Sequence, residues 1–193
     1  LRKYQPGFFP AVNTLFNALV NNEEFKQLDH SKLVMAMGGG MAVLPSTAAA
    51  WKKITGTNII EGYGLSETSP IATANPPASE EFSASIGIPL PLTDVAILDD
   101  DGNHLAQGEQ GEISIRGPQV MKGYWNRPDE TAKVMTADGY FRTGDIGVMD
   151  TRGYFKIVDR KKDMILVSGF NVYPSEIEEV IATHPKVLEV AAI

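Results

Sequence analysis

Glu67 closes the run Tyr63-Gly64-Leu65-Ser66-Glu67, with Thr68 behind it. A carboxylate next to a hydroxyl at a glycine turn can serve phosphate chemistry. Mg²⁺ takes one or two protein carboxylates and fills its shell with phosphate oxygens and water, so a single Glu is chemically adequate. Alone, the segment would be read as a tight turn with an exposed Glu. Asp145 ends a second segment, Phe141-Arg142-Thr143-Gly144-Asp145. Its two oxygens can accept hydrogen bonds from two neighbouring hydroxyls at once. Arg160, in Asp159-Arg160-Lys161-Lys162-Asp163, would add cationic contacts nearby, whereas Lys161 reads as part of a solvated basic turn. Gly38-Gly39-Gly40 allows backbone to approach a ligand closely, at an entropic cost that a plain turn rarely needs three times.

Other chemistries find no support. The chain has no cysteine, which excludes disulfides, zinc–thiolate sites and thiol catalysis within these residues. His30, His104 and His184 are dispersed without metal-ligand spacing. Neither G-x-G-x-x-G nor G-x-x-x-x-G-K-[ST] occurs, and there is no G-x-S-x-G nucleophile elbow. The acidic run Asp99-Asp100-Asp101-Gly102 lacks a full calcium-loop pattern and reads as a solvated turn. A net charge of −7 leaves no broad basic field for nucleic acid. With 43% hydrophobic and 21% charged residues the composition is that of a globular protein, and the apolar stretches are strand-sized.

The elements that must position these residues follow from periodicity. Val12, Leu15, Phe16, Leu19 and Val20 predict a helix over about 10–21. Leu33–Met37 is a short buried strand running into the glycines, Pro45 opens a helix through Ala48–Trp51, and Asn58–Glu61 is the next strand. That strand–helix–strand order implies a parallel pair with ligand-binding loops at the strands' C-terminal ends. Strands are expected at Asp94–Leu98, Glu112–Arg116 and Gly153–Asp159, with a short helix from Pro128. A further strand over Met164–Val167, a turn over Ser168–Tyr173, a helix over Pro174–Thr183 and a strand over Val187–Ile193 complete the reading. The fold class is α/β with mixed α+β elements. A β-rich subdomain covers about 85–158, and a domain boundary falls at Arg160–Lys162, separating 1–160 from 161–193.

The four segments at Tyr63–Thr68, Gly111–Gly117, Phe141–Asp145 and Asp159–Asp163, in that order, resemble the core motifs of the adenylate-forming enzymes, which join a carboxylate to AMP using ATP. The 25 residues from Asp138 to Lys162 resemble the signature of fatty acyl-CoA synthetases, and with Asp163–Val172 they are similar to bacterial long-chain fatty-acid–CoA ligases. The resemblance implies part of a large N-terminal adenylation domain followed by the start of a small mobile C-terminal domain. It implies ATP, CoA and a fatty acid as substrates, with Mg²⁺ as cofactor.

By the same resemblance, Gly39, Gly40, Met41, Glu61, Gly62 and Tyr63 border the adenine, with the Tyr63 ring laid on it. Ser66, where the family usually has Thr, meets the α-phosphate, and Glu67 holds the metal. Asp145 takes the ribose hydroxyls and Arg160 the ribose or phosphate. Lys162 is the hinge, counted with Ser66 and Glu67 among the catalytic residues, and Ser168-Gly169 lines the CoA tunnel. A cytoplasmic enzyme is implied, with peripheral contact at the inner face of the membrane and homodimerisation left open. The family's phosphate loop and C-terminal catalytic lysine have no counterpart in these residues, so an internal piece of a longer enzyme is expected. Two alternatives remain: an adenylating enzyme with another acceptor, as in carrier-protein ligases or luciferase-like monooxygenases, and a non-enzymatic AMP-binding module.

Overall fold

In the computed structural model, residues 3–79, 82–167, 170–182, 184, 186–187 and 190–192 are described. They divide into two compact units, 1–93 with 118–121, and 94–117 with 122–193.

The first unit is a five-stranded sheet in the order β1-β2-β3-β4-β5, with helices between its parallel strands. Strand β1 (Phe8–Ala11) and β2 (Met35–Gly38) pair in parallel, as do β2 and β3 (Ile59–Tyr63). The two-residue strands β4 (Thr73–Ala74) and β5 (Ile88–Pro89) add antiparallel pairs. Between β1 and β2 lie α1 (Asn13–Val20) and the single turn α2 (Glu23–Lys26). Helix α3 (Pro45–Thr55) joins β2 to β3. Pro45 opens α3 where a missing N–H costs nothing, and Gly56 closes it in the left-handed region. The core centres on Trp51, 1% exposed, which stacks on Phe9 and Phe25 and meets the edge of Phe16.

The parallel β2–β3 pair agrees with the sequence reading, but the helix expected over 10–21 is shorter. Pro10 and Ala11 belong to β1, opposite Met37 and Gly38. Because β1 is an edge strand with only β2 as neighbour, a residue lacking N–H is tolerated there. The alternation of Phe8 to Ala11 was hidden by the apolar helix that follows it.

In the second unit β6 (Asp94–Leu98), β7 (Gly111–Arg116), β8 (Phe141–Met149) and β9 (Phe155–Arg160) form an antiparallel meander, with α4 (Pro128–Val134) between β7 and β8. Strand β8, nine residues long, was not expected as an element. Strands β10 (Ile165–Val167) and β11 (Phe170–Val172) make a hairpin, and α5 (Pro174–Ala182) follows. Within the turn expected over Ser168–Tyr173, Phe170–Val172 is therefore strand. The described part of the strand expected over Val187–Ile193 carries no strand pairing; the Ala192 N–H donates instead to the Glu178 carboxylate. An apolar run becomes a strand only where a neighbouring edge accepts it. The α5 positions Ile177, Val180 and Ile181 are exposed rather than packed. Among the described residues no helix is long and apolar enough to cross a membrane.

Candidate active site

Each unit carries one group of candidate residues, and each is described by itself. In the first unit the parallel register sets Gly38 opposite Glu61. The glycine run after β2 and the Tyr63–Thr68 loop after β3 therefore leave adjacent strand ends, the edge at which α/β sheets take ligands. The three glycines are not equivalent. Gly38 is buried in β2, where a side chain would collide with Val43 and approach Ile59, so packing alone requires it. Gly39 passes close to the Gly62 carbonyl, Gly40 is exposed with φ +77°, and Met41 is exposed beside it. Tyr63 is buried and Gly62 half-buried.

Ser66, Glu67 and Thr68 form one 3₁₀ turn, with Ser66 exposed and Glu67 half-buried. The turn is locked from both sides. Thr68 is fully buried; its hydroxyl accepts the Leu65 N–H at 2.9 Å and donates to the Leu65 carbonyl at 3.0 Å. The Met121 N–H donates to the Glu67 carbonyl at 2.8 Å. Thr68 was quoted in the motif without a role, and a Thr that returns to the residue three before it is the available signal. A hard cation bringing most of its shell as water and phosphate fits Glu67. Among the described residues no group of three or more His, Cys, Asp or Glu could cage one instead.

Glu61 is 9% exposed, and its carboxyl accepts the Val43 backbone N–H while Oε2 has no hydrogen-bond partner. Burial pushes its pKa from 4.5 up to about 7, against the smaller opposing effect of the Val43 hydrogen bond. The folded state thus holds a proton that the unfolded chain releases. The contribution of Glu61 to stability is full below pH 4.5 and is lost as pH rises through about 7. The total is on the order of 3 kcal/mol. Glu61→Gln should abolish this decline. Urea denaturation at pH 5 and pH 8 checks it, and an unchanged pH difference in the variant would assign the titration to another group.

In the second unit Asp145 pairs with Arg160 across β8 and β9. The Asp145 side chain is 14% exposed, and its Oδ1 lies 3.7 Å from Arg160 Nε, while the Arg160 side chain is largely in solvent. Asp145 lies within a strand, at an irregularity. Ser114 opposes Arg142 and Glu112 opposes Ile146, so Thr143, Gly144 and Asp145 bulge opposite Ile113. Gly144 has φ +77°, which a side chain would strain, and the bulge re-aims Asp145. Thr143 Oγ1 donates to the Ile113 carbonyl at 2.8 Å and accepts the Asp145 N–H at 3.1 Å.

Lys161 is not a solvated turn residue. Its ammonium lies 2.6 Å from Asp100 Oδ1 and 3.2 Å from Glu112 Oε2, and the Asp100 hydrogen bond leads the effects that raise its pKa. The Asp99–Gly102 turn is likewise engaged, since the Asp99 and Asp100 carbonyls accept Arg142. Asp99–Gly102 is the exposed turn expected from its sequence, while the pairing of Lys161 and Arg142 with it or with Glu112 spans 30 to 61 positions and is not legible locally. Glu112, buried on β7, was not singled out although it stands in a quoted motif. Lys162 is exposed in the turn after β9. Ser168 and Gly169 lie outside the described residues.

A family model described as "AMP-binding enzyme" matches residues 1–125. Over all 193 residues the chain is 57% identical to a long-chain-fatty-acid–CoA ligase of Yersinia pestis, and over 189 residues 43% identical to one of Bacillus subtilis. It spans about a third (34%) of the length of each. Among solved structures, ATP-bound MatB from Rhodopseudomonas palustris is 34% identical with a TM-score of 0.87, over 96% of this chain and 37% of that one. The anthranilate CoA ligase AuaEII in complex with anthranoyl-AMP is 29% identical with a TM-score of 0.86, over 100% of this chain and 37% of that one. Matched by the family model over its first 125 residues and by these relatives over nearly all its length, the chain belongs to the AMP-binding enzymes.

Proposed function

We propose that these residues are the nucleotide-handling segment of a longer AMP-forming acyl-CoA ligase, one that activates a long-chain fatty acid to acyl-AMP with release of pyrophosphate and then transfers the acyl group to CoA. The observation that carries the reading is identity of 57%, over all 193 residues, to a ligase so named. Coverage of 34% of that relative supports the segment reading.

The roles follow from chemistry. The strand-end loops would receive adenine between the Gly39–Met41 backbone and the Glu61–Tyr63 segment. Ser66 would donate to the α-phosphate, and Asp145 would accept both ribose hydroxyls while Arg160 adds charge. Glu67 would hold Mg²⁺, which when bound supplies charge neutralisation at the phosphates. Carboxylate attack on the α-phosphorus then needs positioning and fixed charge rather than a covalent enzyme intermediate. A boundary at Arg160–Lys162 with Lys162 as hinge, and Ser168-Gly169 on the CoA path, completes the proposal. Luciferase-like and carrier-protein acceptors are less well supported, because the relatives at 43–57% identity carry a CoA-ligase name.

The test is AMP release by the native gene product with ATP, CoA and carboxylic acids of graded length. The expected result is CoA-dependent AMP release that is greatest with long-chain acids. AMP release that ignores CoA would overturn the acceptor, and a preference for short or aromatic acids would overturn the substrate class.

A further inference from the structure

The Glu112 carboxylate is 7% exposed and gathers hydrogen-bond donors from three residues, Arg142, Gly144 and Lys161. Its Oε1 accepts the Gly144 N–H at 2.9 Å. Its Oε2 accepts Arg142 Nε at 2.9 Å and Lys161 Nζ at 3.2 Å, and lies 2.8 Å from Arg142 Nη2 in the same ion pair. Arg142 also reaches the carbonyls of Asp99 and Asp100, and the Lys161 N–H donates to the Gly144 carbonyl at 2.9 Å. One flank of the bulge that aims Asp145, the Gly144 amide at its centre, and Lys161 just after the strand carrying Arg160 are therefore tied to one buried anion.

We infer that Glu112 is a positioning residue for nucleotide binding: it holds the Thr143–Asp145 bulge and the start of the Lys161–Asp163 turn, so that Asp145 is presented to its ligand in one conformation. The inference rests on the proposed ribose role of Asp145. The physical argument is one of competing geometries. A bulge with a left-handed residue is a local departure from the strand ladder, and only surrounding contacts hold it in one form. Here a charged acceptor meets the bulge amide directly and a planar guanidinium fork beside it, which fixes direction as well as distance. The long reach of Lys161 to Asp100, whose pKa it lowers, keeps the second cation on the same oxygen. Glutamine at 112 would keep the shape and the Gly144 acceptor but turn an amide NH₂ toward two cations, releasing them.

In the native gene product, Glu112→Gln should raise the ATP KM of pyrophosphate exchange about 10-fold, with kcat within about 3-fold, as expected when ligand binding rather than the chemical step is lost. In an Asp145→Ala background the same change should add less than about 2-fold, because residues acting through one contact are not additive. Full multiplication of the two effects, or no KM effect of Glu112→Gln beside a real effect of Asp145→Ala, overturns the inference. If Asp145→Ala leaves the ATP KM unchanged, the ribose reading fails. Hydrogen exchange on the 193-residue chain then decides the geometry: the Gly144 and Lys161 amides should exchange at least about 10-fold faster in Glu112→Gln while Ile97 is unchanged. Unaltered exchange at both overturns the inference by itself. Should Glu112→Gln not fold, Glu112→Asp keeps the charge but not the reach, and the same outcomes apply.

Discussion

Replacing Glu67 by alanine in the native gene product is expected to lower fatty-acid-dependent pyrophosphate exchange by about 100-fold, the scale at which one element of charge stabilisation acts in a reacting site. The expectation is sharp because Thr68 and main-chain groups hold the 3₁₀ turn. Thr68 ties the turn to Leu65, and the Met121 N–H holds the Glu67 carbonyl. Alanine keeps every one of those main-chain and threonine bonds. The loss should therefore fall on exchange itself, accompanied by a higher Mg²⁺ concentration for half-maximal rate, and not on the unfolding midpoint. Exchange within about 3-fold of the wild type, at unchanged Mg²⁺ demand, would remove Glu67 from the metal role.

Asp145→Ala should cost about 1.5–3 kcal/mol of ATP binding, the range for hydrogen bonds to a charged group, which corresponds to a KM rise of roughly 10- to 150-fold. The bulge should survive, since Thr143 bonds the Ile113 carbonyl and Glu112 accepts the Gly144 N–H whatever stands at 145. A second comparison separates a ribose contact from a general electrostatic one. The wild type should prefer ATP to 2′-deoxy-ATP, because a carboxylate built to take two hydroxyls is left with an unmet acceptor when one is absent. The alanine variant should lose that preference. Equal discrimination in both proteins would place the ribose hydroxyls elsewhere.

Local chemistry was legible wherever neighbours in sequence are also neighbours in space. The turn at Tyr63–Thr68, the Pro45 start of α3, strand β6 and the parallel pairing of β2 with β3 all depend on contacts within a few residues or on one short crossover. Strand β8 was missed because Thr143-Gly144 interrupts its pattern with turn residues, and only pairing with β7 and β9 on its two sides keeps that stretch extended. Pro10 carried a helix-start signal that the free edge of β1 overrode.

By itself the sequence determined the adenylate-forming motifs, the absence of cysteine, and the order of strands that brings the glycine run beside Glu61. Tertiary structure decided which charges are partnered. Lys161, Asp100, Arg142 and Glu112 have the composition of solvated surface groups, and their ion pairs span 30 to 61 positions of sequence. Likewise, the raised pKa of Glu61 comes from burial, a property of what packs around a side chain rather than of its type. Motif chemistry is written in short-range covalent order, whereas desolvation and long-range pairing arise only once the strands have met.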